Sequence, residues 1–185
     1  MYPLQIGRNN MKSFKEYITE VFDNPYKWRG GGVAKGSITP NNDGIPEDYV
    51  FKTSDGGLIE LTANHFWMRA GEKTSFMSVA KEGHAVGIEF VKRKYKGTTK
   101  DRSTYGMTGE GDAMRIMATV LDIIEAIIKK HEPAMLYFSG DKDDKEKGGR
   151  VGAYKAIIKR FAGKAGYESV TKEYSNKVSF QLVKK

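Results

Sequence analysis

The stretch Thr108–His131, TGEGDAMRIMATVLDIIEAIIKKH, constrains this chain more than any other. Ala113, Ile116, Met117, Val120, Leu121, Ile124, Ile127 and Ile128 recur at steps of three and four. That spacing lays one broad apolar stripe along a helix of about six turns. Asp122, Glu125, Lys129 and Lys130 fall off the stripe and are expected in water. Gly106, Gly109 and Gly111 precede the helix and permit turns that side chains forbid. A glycine-rich loop therefore feeds a helix N-terminus, where free amides and the helix dipole suit an anion. Pro133 stops the helix, because the residue before proline disfavours helical geometry. The next run, Ala134 to Ser139, has the length and apolarity of a short buried strand.

Other local signals extend this plan. Tyr49–Thr53 and Leu58–Thr62 alternate about Ser54-Asp55-Gly56-Gly57, which predicts a hairpin. A second hairpin is expected between Thr74–Ala80 and Ala85–Val91, turning through Lys81–His84. Lys92–Tyr105 reads as a polar, basic connection, long for a compact domain. Arg150–Ala165 predicts a second amphipathic helix with Val151, Tyr154, Ile157, Ile158, Phe161, Ala162 and Ala165 inward. Gly166-Tyr167 ends it with a glycine cap. Tyr167–Tyr174 and Lys177–Val183 form a closing hairpin. Met11–Val21 predicts a short amphipathic helix, and Tyr26–Asp48 reads as an irregular arm. The expected architecture is α/β (α+β), a mostly antiparallel mixed sheet flanked by two long helices. Residues 1–48 form an N-terminal helix and arm, and 49–185 a single domain.

Composition narrows the chemistry. The chain has 185 residues and no cysteine, which excludes disulfides, thiolate nucleophiles and cysteine-ligated metals. Its formal charge of +8 favours anionic partners, and nonspecific nucleic acid is one. No apolar run is long enough to cross a bilayer, so no membrane partner is expected. A phosphate loop is excluded because Lys35-Gly36-Ser37 reverses the required Gly-Lys-Ser order. Asp141, Asp143 and Asp144 fail as a calcium loop, since Glu146 stands where the turn glycine belongs. His65, His84 and His131 show no ligand spacing such as i, i+4, so no metal is expected. His131 instead complements the helix C-terminus.

The order of meander, Gly109-Glu110-Gly111, long helix, strand, second helix ending Gly166-Tyr167 and closing hairpin resembles the GNAT family of acyl-CoA-dependent N-acetyltransferases. The resemblance runs from about residue 86 onward. It implies acetyl-CoA as cofactor, held by amides of Thr108, Gly109, Gly111, Asp112 and Ala113. Phe90 would run beside the pantetheine arm, and Arg102 would reach the phosphates. It further implies Glu89 as general base and Tyr154 as general acid for acetyl transfer to a small-molecule or protein amine. Gly106 departs from the family's Gln or Arg, and Glu110 and Asp112 set carboxylates where phosphates would lie.

A second resemblance lies at the N-terminus. Met11-Lys12-Ser13-Phe14, followed by Ile18-Thr19-Glu20, is similar to capsid-targeting peptides of internal head proteins in large contractile-tailed bacteriophages. It implies a protein of the host cytoplasm that is packaged in the virion and cleaved after Glu20. Two readings stand together. One is a phage-derived N-acyltransferase. The other is a non-catalytic virion internal protein on the same scaffold, whose basic surface binds DNA or head components.

Overall fold

A computed structural model of the protein describes residues 24–32, 39, 44–71, 82–96, 99–101, 112–141, 155, 158–159, 161–175 and 177–185. Among these residues, eight strands form one sheet: β1 (Trp28–Gly30), β2 (Glu47–Lys52), β3 (Leu58–Met68), β4 (Gly83–Lys96), β5 (Thr99–Asp101), β6 (Met135–Asp141), β7 (Tyr167–Glu173) and β8 (Lys177–Lys184). The order is β1-β2-β3-β4-β6-β8-β7, with β5 paired to β4. Every neighbouring pair is antiparallel except β4 and β6. The fold is therefore α+β with a mostly antiparallel mixed sheet. No helix among the described residues is long and apolar enough to cross a membrane.

Helix α1 (Asp112–His131) crosses between the parallel strands β4 and β6. Its stripe packs as the spacing requires: Ile116, Met117, Val120, Leu121, Ile124 and Ile127 are buried in the main core. Ile123, off the expected stripe, is buried with them. Each such side chain contributes about 1.5–3 kcal/mol by leaving water. Opposite α1, alternation along the sheet presents Tyr49, Phe51, Ile59, Leu61, Ala63, Val86 and Ile88 to the same core. Glu132, just past the end of α1, has a left-handed φ of 47° and turns the chain into Pro133. Beyond β6, residues 155, 158–159 and 161–164 are helical, with Ile158 and Ala162 buried. Gly166, at φ 81°, closes this helix in the expected left-handed conformation.

The first and last hairpins form where local alternation places them, β2 with β3 and β7 with β8. Three expectations need correction. β4 pairs along its length with β3, from Met68↔Gly83 to Leu58↔Arg93, so Gly83 and His84 are strand residues and not a turn. The segment expected to pair with β4, Thr74–Ala80, lies outside the described residues. The basic connection after Val91 is not irregular throughout: β4 continues to Lys96, and Lys94↔Asp101, Tyr95↔Lys100 and Lys96↔Thr99 pair as a ladder. The stretch read as an irregular arm supplies β1 and the start of β2.

That stretch is also stitched to α1. The Tyr26 amide donates to Thr119 Oγ1 at 2.8 Å, and Trp28 Nε1 donates to Asp122 Oδ2 at 2.7 Å. Arg115 Nε donates to the Asn24 carbonyl at 2.9 Å, and its guanidinium lies 4.0 Å above the Tyr26 ring. Gly30 is held close: a Cβ there would lie 2.0 Å from the Asp48 carbonyl oxygen. The far end of α1 is anchored differently. Buried Tyr167 donates its hydroxyl to the Pro133 carbonyl at 2.6 Å. Tyr167→Phe should destabilise the protein by about 1–3 kcal/mol, since it leaves that buried carbonyl unpaired. A urea midpoint shift at constant m-value checks this.

Candidate functional site

Among the described residues, two places collect groups capable of chemistry, at opposite ends of the parallel pair. The first is at the carboxyl ends of β4 and β6. Ala85–Ile88 pair with Met135–Phe138, and the pairing goes no further. β4 nevertheless continues to Lys96, while β6 continues to Asp141 along β8. From Glu89 to Arg93, β4 has β3 on one side and, among the described residues, no strand on the other. Among the described residues, its backbone groups on that side have no sheet partner.

The N-terminus of α1 lies at this same end. Arg115, in its first turn, sits over Tyr26, which stacks on Phe51 at 5.9 Å. Phe51 pairs with Ile59, and Ile59 with Lys92 of β4. The beginning of α1 is thus level with the unpaired part of β4. Glu89 is exposed and pairs across to Thr62. Neighbouring Phe90 is half-buried against the main core, on the α1 side of the sheet. Glu89 therefore points to the other face. Asp112 and Ala113 begin α1. Thr108, Gly109, Gly111, Arg102 and Tyr154 lie outside the described residues.

The second place was not visible in linear spacing. All three histidines of the chain converge at the other end of the parallel pair, around a carboxylate. Glu47 begins β2, His65 is near the end of β3, His84 is near the start of β4, and Lys130 and His131 end α1. Strand alternation explains the convergence. Glu47 shares a face with Tyr49 and Phe51, and His65 shares it with Ile59, Leu61 and Ala63. The helix lies over that face and delivers its last turn to the same point.

The contacts are close. Glu47 Oε1 lies 2.7 Å from Lys130 Nζ and 2.7 Å from His131 Nε2. The Tyr49 hydroxyl donates to Glu47 Oε2. His65 Nδ1 is 2.9 Å from His84 Nε2, and the two rings stack at 5.1 Å. His131 meets His65 edge-on at 4.7 Å. Glu47 and His65 are fully shielded, whereas the Lys130 side chain is 33% exposed. Lys130, expected in water, instead turns back to the carboxylate. His131 bonds a side chain of β2 in addition to sitting in the basic last turn of α1.

Titration follows from these surroundings. Burial alone would push the Glu47 carboxyl up. Hydrogen bonds from Lys130, Tyr49 and His131, with the nearby His131 charge, outweigh burial and bring it down to about 2. Burial, then the proximity of His131, lowers His65 to about 4 against the opposing pull of Glu47. Burial likewise lowers His84 to about 4, with His65 and His131 adding to the effect. Burial and the adjacent Glu47 raise Tyr49, so it remains a donor.

Comparison with known proteins finds no matching family model, curated protein or solved structure. The chemistry of the two places therefore rests on their geometry. Among the described residues, Glu89–Arg93 of β4 offers an unpaired strand edge, the kind of edge along which an extended, amide-bearing ligand can pair. The His–Glu cluster offers nitrogen and oxygen donors in a shielded space. The one signal that could have disclosed it is alternation: Glu47 and His65 occupy inward positions of otherwise apolar strands.

Proposed function

We propose that the chain is an acyl-CoA-dependent N-acyltransferase, with acetyl-CoA as donor and an amine as acceptor. The observation that carries this reading is the parting of β4 from β6 after four residue pairs. At the point of parting, free backbone amides and carbonyls of β4 suit the two amides of a pantetheine arm. The start of α1, level with the same opening, suits the diphosphate that follows in such a ligand. Ligands of open sheets with parallel strands commonly bind outside the carboxyl ends of those strands, which favours this end over the other.

In this reading Phe90 packs beside the arm, and amides of Thr108, Gly109, Gly111, Asp112 and Ala113 take the phosphates. Arg102 supplies positive charge, needed because Glu110 and Asp112 bring carboxylates to the phosphate position. The amine nitrogen attacks the thioester carbonyl, the C–S bond breaks, and the acyl group remains on nitrogen. Glu89 takes the proton that the amine loses, and Tyr154 protonates the leaving thiolate. The bacteriophage origin and virion packaging implied by Met11–Glu20 belong to the same proposal.

Thermal unfolding with and without acetyl-CoA tests it. Stabilisation of about 2.7 kcal/mol is expected at a hundredfold excess of ligand over Kd, and Gly111→Trp should abolish it. No shift at millimolar acetyl-CoA would overturn the enzyme. The carboxylates at 110 and 112 would then favour a non-catalytic virion protein that binds DNA or head components through its basic surface.

A further inference from the structure

We propose that Glu47, His65 and His131 form a binding site for a borderline divalent cation of the zinc type. One donor atom from each lies within 4.8 Å of the others. The set of two imidazoles and one carboxylate is one that zinc accepts, with a fourth position left to water. This inference does not depend on the acyltransferase reading, because the cluster sits at the opposite end of the β4–β6 pair.

The hydrogen-bond pattern gives the decisive reason. In the tautomer in which His65 Nδ1–H donates to His84 Nε2, 2.9 Å away, the His84 nitrogen is a lone pair. That tautomer leaves His65 Nε2 as a lone pair as well. It is buried, has no hydrogen-bond partner, and lies 3.9 Å from Glu47 Oε2. Two electron-rich atoms thus face each other in a shielded space. A cation between them satisfies both.

The same chain of bonds does what supporting groups do around metals. An imidazole ligand whose other nitrogen donates to a fixed acceptor is held in the ligating tautomer and orientation. His84 plays that role for His65. Lys130 is the present counterion of Glu47, at 2.7 Å, and competes with a metal for Oε1. Its partial exposure gives its ammonium group a route to water once a divalent ion arrives. His131 Nε2, 2.7 Å from Glu47 Oε1, is the third donor atom, and a metal there would replace its hydrogen bond to the carboxylate. Tyr49 remains a donor to the carboxylate and fixes its orientation.

The full chain, stripped with chelator and dialysed, should be titrated with Zn2+, and the metal retained after desalting should be counted by elemental analysis. One equivalent is expected, with a rise in the unfolding temperature. Histidine side-chain NMR on the same sample needs no variant, since the chain has three histidines. Zn2+ should move the His65 and His131 resonances most. His65→Gln should abolish retention. His84→Gln should weaken binding by about 10–100-fold, the usual cost of losing a supporting partner. Lys130→Gln removes the competing ammonium group, so Zn2+ should bind more tightly. No saturable binding, or binding unchanged in His65→Gln with the histidine resonances unmoved, overturns the proposal. If His65→Gln does not fold, weaker binding in Lys130→Gln than in the parent overturns it instead.

Discussion

Glu47→Ala should destabilise the metal-free protein by about 3–5 kcal/mol, the usual cost of removing one partner from a buried ionic cluster. The carboxylate is fully shielded and takes hydrogen bonds from Tyr49, Lys130 and His131. Its removal leaves the buried Tyr49 hydroxyl and the His131 Nε2 without their acceptor. Only Lys130 has a ready escape to water, which places the expected loss toward the lower end of that range. Glu47→Gln keeps the shape and one acceptor oxygen, so it should cost less than alanine. Urea denaturation at neutral pH with chelator present measures both. A Glu47→Ala protein within about 0.5 kcal/mol of the parent, as for an ordinary surface change, would show that the carboxylate is not part of the core.

The largest environmental effect should be acid lability that begins unusually early. His65 and His84 titrate near 4 in the folded protein, against 6.5 for an ordinary histidine. Between those values the unfolded chain binds more protons than the folded one. Stability contributed by the neutral pair is therefore fully present above about pH 6.5 and is lost as pH falls towards 4. Glu47 has the same sign in a lower window. Its folded value near 2 against an ordinary 4.5 means that its contribution is lost as pH falls from 4.5 towards 2. Together the groups should remove a few kcal/mol, since each tenfold change in the proton affinity of a shielded group is worth about 1.4 kcal/mol. Unfolding free energy of the metal-free protein, measured from pH 8 to pH 3, should decline from about pH 6.5 downward. A profile flat to pH 5 would contradict the burial of the two imidazoles. His84→Gln should remove part of the upper window and leave the lower one.

The sequence discloses elements whose information is local. The stripe from Ile116 to Ile127 writes a helix into its own spacing, and the structure places α1 at Asp112–His131. Ser54-Asp55-Gly56-Gly57 writes a hairpin in the same way: the Thr53 amide bonds the Gly57 carbonyl, and the Gly56 amide bonds the Thr53 carbonyl. Strand partnership is not local. β4 carries the alternation expected of it but pairs with β3, because an alternating strand does not encode which alternating strand lies beside it. Trp28–Gly30 is too short to show a period, and its place depends on β2 and on Thr119 and Asp122 of α1. The His–Glu cluster was hidden for the same reason. His131 and Glu47 are 84 positions apart, and only the sheet and the helix end make them neighbours. The expected phosphate-binding residues, by contrast, belong to a contiguous motif and fall largely outside the described residues.

The separation between Glu47 and its partners also bears on how the chain acquires its structure during synthesis. β2, β3 and β4 leave the ribosome well before Lys130 and His131. At that stage the inner face of the sheet carries a carboxylate and two imidazoles with no helix to enclose them. These groups stay hydrated cheaply only while the face is open, which works against premature collapse of the meander into a closed apolar core. Arrival of the last turn of α1 supplies the cation that makes enclosure favourable. Long-range closure of this kind is slow compared with hairpin formation. Compaction of the N-terminal strands is thus tied to completion of the helix, and fragments ending before Lys130 should remain open chains and not small stable domains.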